Sequence, residues 1–287
     1  MTIALVGIVL LSPESLLIRL VEADRWTIVF WRGLLMSVGL SAVSAAMARS
    51  PQVIRDIGRW GIVVGVLFGI QTTLFITSIT NTTVANTLVV MSSAPLFAAM
   101  WARVFFSQSV GIRMWVVIAA AMGGVAYMFS GSLGLGTLGG DLAAVGAAAS
   151  FGAVFVIIRR HKRVNMVPAM GVGGLVAAIL VSPLAAPTSI TLSDFGYLAT
   201  SGFVVLPLGF GLLAVAPRFL PAAEVGLITL LETILGPLWV WLAIGEEPGF
   251  RTLVGGAIVV GTLAVNTVLL LNGASKRATR PLPDASR

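Results

Sequence analysis

Ten apolar segments, each long enough to cross a bilayer, follow one another along the chain at 2–20, 26–48, 60–80, 84–106, 112–130, 141–158, 164–185, 196–216, 221–244 and 252–271. A hydrocarbon core of roughly 30 Å takes about 20 apolar residues per helix. Backbone groups facing lipid must bond within their own segment, and none of these segments shows the short alternation of a barrel strand. The expected fold is therefore an all-α integral membrane protein of ten transmembrane helices, with the lipid bilayer as its solvent. The ten spans use most of the 287 residues and leave no room for a soluble catalytic domain.

Charge placement orients the bundle. With the N-terminus in the cytoplasm, 14 of the 18 Lys and Arg fall on the cytoplasmic side, and only Arg19, Arg25, Arg32 and Arg251 do not. Basic loops resist translocation, so this bias predicts a multi-pass inner (plasma) membrane protein with both termini cytoplasmic. The run Arg159-Arg160-His161-Lys162-Arg163 belongs to that pattern, and the net charge of +7 with it; no nucleic-acid partner is expected. With no Cys, and its single His in a basic loop, the chain offers no imidazole metal cluster, thiolate site or Ser-His dyad. No cofactor, metal or enzymatic activity is expected. The opening segment lacks a basic start and carries Pro13 and Glu14, which reads as a retained helix rather than a cleaved signal. The polar stretch 272–287 reads as a cytoplasmic tail.

Small residues mark close packing. Gly61, Gly65 and Gly69 recur on the third helix, and Ala144, Ala148 and Gly152 on the sixth. Faces of this kind let backbones approach in lipid. Trp26, Trp60, Trp101, Trp115 and Trp241 stand near the proposed helix ends, where indoles prefer the interface. The glycines between Gly131 and Gly140 link two helices and follow no strand, so no phosphate loop is implied.

An offset of 138 residues aligns the fourth-to-fifth hairpin with the ninth-to-tenth: Ala85 meets Ala223, Trp101 meets Trp239, Arg113 meets Arg251 and Gly123 meets Gly261. The halves predicted are 1–130 and 131–271. Five spans in each half force opposite orientations, the inverted repeat found in many transporters.

Several local patterns fall in order on these helices. They are Phe30-Trp31-Arg32 on the second, Val84-Ala85-Asn86 through Pro95-Leu96-Phe97 on the fourth, Gly140-Asp141-Leu142 on the sixth, and the Gly245-Glu246-x-Pro248 turn after the ninth. Together they resemble the drug/metabolite transporter superfamily in its ten-helix, EamA-like form. The resemblance covers essentially the whole chain and implies an exporter of amino acids and related metabolites, with a central cavity between halves. One departure is Gln108, where the family's first-half turn commonly carries an acid.

Ionisable groups at membrane depth cost at least about 2.5–3.5 kcal/mol each, so those present are candidates for function. Glu14 and Arg32 lie at matching depth on adjacent helices and are expected to form a structural ion pair. Glu14 is also a ligand candidate, because Ser12-Pro13 interrupts the helix beside it. Glu232 lies near the middle of the ninth helix with no basic residue on its span. It must meet another helix, water or substrate, or stay protonated; a helix-to-helix hydrogen bond and a substrate amino group are equally good readings. Glu224 and Asp141, at helix starts, read as favouring the positive dipole end. Gln71, Thr72 and Asn86 offer neutral hydrogen bonds to a substrate or to a neighbouring helix. Phe75, Phe151, Phe155, Phe203, Phe210 and Trp239 could wall a cavity or simply pack, and Pro207 and Pro237 mark kinks. The expected substrate-binding set is Glu232, Gln71, Thr72, Phe75, Asn86, Phe155, Trp239 and Glu14.

The function expected is export of small organic metabolites, amino acids foremost, by alternating access. A multidrug exporter of lipophilic cations is the alternative, and a non-transporting membrane scaffold a remote one. Direction, coupling ion and any homodimer stay open at this level.

Overall fold

The computed structural model describes residues 2–47, 57–107, 111–132, 137–161, 164–215 and 231–278. Arg49, Arg55, Gln108, Lys162, Arg163, Arg218, Glu224, Arg280 and Arg287 lie outside them. Among the described residues there is no strand. Ten helices follow in order: α1 (Thr2–Leu11 and Glu14–Arg19), α2 (Arg25–Met47), α3 (Gly58–Asn81), α4 (Val84–Met91 and Ala94–Phe106), α5 (Ile112–Ser132), α6 (Leu138–Arg160) and α7 (Val167–Val181). They continue with α8 (Leu192–Thr200, a π turn at Ser201–Val205, then Leu206–Val215), α9 (Glu232–Ile244) and α10 (Phe250–Ala278). Arg25–Ala46, Gly58–Asn81, Val84–Phe106, Leu138–Arg160 and Leu192–Leu213 are each long and apolar enough to cross a membrane, and shorter apolar helices fill the remaining places. α10 runs seven residues beyond the apolar boundary expected at Leu271, since no proline interrupts it before Pro281.

Two helices are broken, each for a local reason. Pro13 has no N–H to continue α1, and the Ser12 hydroxyl donates to Val9 O at 2.9 Å. α4 stops at Met91 and restarts at Ala94 ahead of Pro95. There Ser92 and Ser93 turn their hydroxyls back onto Val89 O and Val90 O, both at 2.6 Å. Back-bonding serines of this kind bend helices. The π turn in α8 precedes Pro207, a kink site expected from the sequence.

Glycines set how closely the helices approach. A Cβ on Gly33 of α2 would stand 2.5 Å from Gly174 O of α7. On Gly69 of α3 it would meet Gly173 O at 2.8 Å, and on Gly152 of α6 it would meet Ala94 O of α4 at 2.7 Å. α7 therefore wedges against both α2 and α3, while α6 lies against the break in α4. α5 and α10 pair at Gly124 and Gly255, where a Cβ on Gly124 would meet Gly255 O at 2.9 Å. Their apolar side chains form a separate cluster with α4, through Val89, Val90, Leu96, Val125, Met128 and Val259. Two larger clusters tie α1, α2 and α3 to α6, α7 and α8.

Candidate functional site

The break in α1 places a short polar segment, Ser12-Pro13-Glu14-Ser15, inside the bundle. Ser12, Glu14 and Ser15 are all buried. Arg32 comes from α2, held by the glycine contacts to α7, and is 4% exposed. Its Nε donates to Glu14 Oε1 at 2.8 Å, and Nη2 donates to the same oxygen. Arg32 Nη1 is buried and has no partner, and Ser15 Oγ is in the same condition. From α3, Phe75 sets its ring 5.8 Å from the Arg32 guanidinium carbon.

The second half of the chain reaches this segment through α9. Trp239 Nε1 donates to Ser12 Oγ at 2.8 Å. A Cβ on Gly236 would stand 3.2 Å from Ser15 Oγ, so α9 passes directly over the α1 break. Glu232 lies one turn before Gly236 on the same face. It is close enough to Glu14 for the two carboxylates to interact. Two carboxylates and one guanidinium, contributed by both halves, thus share one membrane-embedded region beside a proline-broken helix.

The other residues expected at a site distribute as follows. Gln71 and Thr72 are buried on α3, with Thr72 Oγ1 donating to Gln71 Oε1 at a long 3.5 Å. Gln71 stands one turn from Phe75, on the face that looks toward Arg32. Phe155 packs against Phe151 with ring centroids 4.4 Å apart and planes tilted by 41°, and Phe151 with Phe210 flanks Phe68, at 6.1 and 6.0 Å respectively. These four rings form an aromatic cluster of α3, α6 and α8. Phe203 faces outward, 47% exposed.

Asn86 belongs to a different group. Its Nδ2 donates to Asp141 Oδ1 at 3.1 Å, Thr82 Oγ1 donates to the same oxygen at 2.8 Å, and Thr252 Oγ1 donates to Asn86 Oδ1. This network joins α4, α6 and α10 at the end of the bundle away from residues 2 and 278. At the same end Arg19 Nε donates to Glu246 Oε2 at 2.8 Å, and the Val84 N–H donates to Glu246 Oε1 at 2.8 Å. Val84 opens α4, where a carboxylate is favoured by the unpaired N–H groups of the first turn. Arg19 also donates through Nη1 to Ile79 O at 2.9 Å. Sequence reasoning did not find these contacts. Their signals were Gly140-Asp141 and Gly245-Glu246, which stood out as patterns without partners.

A family model for EamA-like transporters matches the chain twice, over residues 2–130 and 138–268. The chain belongs to the EamA-like transporter family. Each EamA match covers five helices, so the chain is built as two inverted five-helix repeats. It is 28% identical to the uncharacterized transporter YdfC of Bacillus subtilis (strain 168) over 204 residues, which are 67% of this chain and 64% of YdfC. A solved crystal structure of another protein superimposes with a TM-score of 0.65, covering 93% of this chain and 96% of that one at 19% identity, which fixes the fold alone.

Proposed function

We propose that this EamA-family protein exports small organic metabolites, amino acids foremost, by alternating access of its halves, 1–130 and 131–271, about the α1 break. The observation that carries the reading is the meeting of Glu14 and Arg32 from the first half with Glu232 and Trp239 from the second. A charged site held jointly by both repeats is taken apart on one side when the repeats rock, which is how a substrate is released. The 14-to-4 split of basic residues supports cytoplasmic termini, so the Arg19–Glu246 end is the outer one. The chain shows no nucleotide-binding motif, so the driving force comes from an ion gradient, a substrate gradient or a separate subunit. Counterflow in proteoliposomes against labelled amino acids and amines, with and without a pH gradient, tests this. Accumulation of amino acids is expected; accumulation of amines alone overturns it.

A second reading, export of lipophilic cations, draws on the Phe68, Phe151, Phe155 and Phe210 rings together with the second carboxylate. Competition between amino acids and a cationic dye separates the two.

A further inference from the structure

Arginine carries five N–H donors in a rigid fork. A purely structural clasp between Arg32 and Glu14 would be satisfied by two parallel bonds, one to each carboxylate oxygen. The observed pair is different: Nε and Nη2 both converge on Glu14 Oε1, and Nη1 is left buried with no acceptor. Ser15, the residue after Glu14, has a buried hydroxyl that is likewise unanswered. Unpaired buried donors are rare in native proteins, and two of them beside one ion pair, one on a member of the pair and one on the residue next to its partner, call for a missing partner. That partner must accept hydrogen bonds. A guanidinium edge and a hydroxyl match a carboxylate, and no described residue, Glu232 included, bonds either of them.

Glu232 sets the complementary requirement. It comes from the other half, shares the face of α9 that crosses Ser15, and lacks a basic partner among the described residues. A simple cation would answer Glu232 and leave Arg32 Nη1 unpaired. A simple carboxylate would answer Nη1 and leave Glu232 unpaired. A molecule carrying both groups on neighbouring atoms answers both.

We infer that Arg32 is a substrate-binding residue whose free Nη1 edge takes the carboxylate of an α-amino acid while Glu232 takes its ammonium group. The inference rests on the amino-acid transport reading and deepens it, since it turns a residue expected to be a structural partner into one that selects the substrate. Phe75, itself buried, lays its ring beside the guanidinium, and apolar surface there strengthens a polar contact made to Arg32.

The experiment begins with the best-accumulated of the twenty labelled proteinogenic amino acids in wild-type proteoliposomes. Its uptake is then competed with the same amino acid, with its amide, and with its decarboxylated amine. The amide and the amine are expected to compete at least about tenfold more weakly, because each lacks the group that pairs with Arg32. Arg32→Lys keeps a cation for Glu14 but loses the fork, and the preference for amino acid over amide should shrink toward unity. Glu232→Gln should weaken amino acid and amide alike and leave their ratio unchanged. Amide and amine competing as well as the amino acid in wild type overturns the assignment, with no variant needed. A folded Arg32→Lys protein that keeps the full preference overturns it too. Where amines accumulate and no amino acid does, the transport reading itself fails and takes this assignment with it.

Discussion

At the scale of single residues, the depth match of Glu14 and Arg32 was legible from their distances to the helix ends, and they meet as a buried pair. The hydrogen-bond pattern was not legible. Which guanidinium nitrogen stays free depends on the angle between a broken helix and its neighbour, and spacing does not encode that angle. Breaking a buried pair by removing one partner costs about 3–5 kcal/mol, because the other charge is stranded. Glu14→Arg and Arg32→Glu each place like charges together and should sharply reduce the yield of folded protein. The double exchange should recover folding, read as the monodisperse fraction on size-exclusion chromatography in detergent. A double variant no better than the worse single one would show that the two groups do not stabilise each other. Asn86 illustrates the converse: a polar residue near a helix start reads equally well as cavity lining or helix tie, and only its contacts with Asp141 and Thr252 place it in the network at one end of the bundle.

At the scale of elements, apolar length and small-residue spacing carried most of the information. The fourth helix reads as one continuous span, yet it breaks at Ser92-Ser93. Pro95 lacks an N–H, but proline is also common at the start of a helix, and the serines that absorb the bend look like ordinary polar positions. Adjacent glycines on α5 separate packing from propensity. A Cβ on Gly124 would meet Gly255 O at 2.9 Å, whereas one on Gly123 would meet nothing within 4 Å. Gly124→Ala should destabilise the α5–α10 pair by about 1–3 kcal/mol through overpacking. Gly123→Ala should be neutral or stabilise by up to about 1 kcal/mol, because alanine is the better helix former. Thermal unfolding in detergent compares the two; equal midpoints would show that α5 and α10 do not approach as described.

At the scale of the whole molecule, the two repeats are tied at the end away from residues 2 and 278 by Arg19 to Glu246 and by Thr252 to Asn86. Both contacts join the first half to the second at that end. Arg19 and Glu246 are partly exposed, at 31% and 17%, which limits their pair to about 1 kcal/mol. Glu246→Gln should therefore shift the balance toward an open end by no more than about fivefold. The measurement is the rate at which a membrane-impermeant maleimide modifies a cysteine placed at Gln71 in this naturally Cys-free chain. An unchanged rate would make the Arg19–Glu246 contact a loop anchor and not a gate.

The sequence alone determined the class, the number of spans, the duplication and the family, because each depends on where apolar length and charge fall along the chain, and the bilayer enforces those one-dimensionally. Tertiary structure decided which polar groups meet. Glu232 stands 218 positions from Glu14, and their approach depends on how α9 crosses the break in α1 over Gly236. Crossing geometry is set by glycine contacts between helices remote in sequence, and so the same residues that announced a membrane transporter left its charged centre to be found only once the helices were packed.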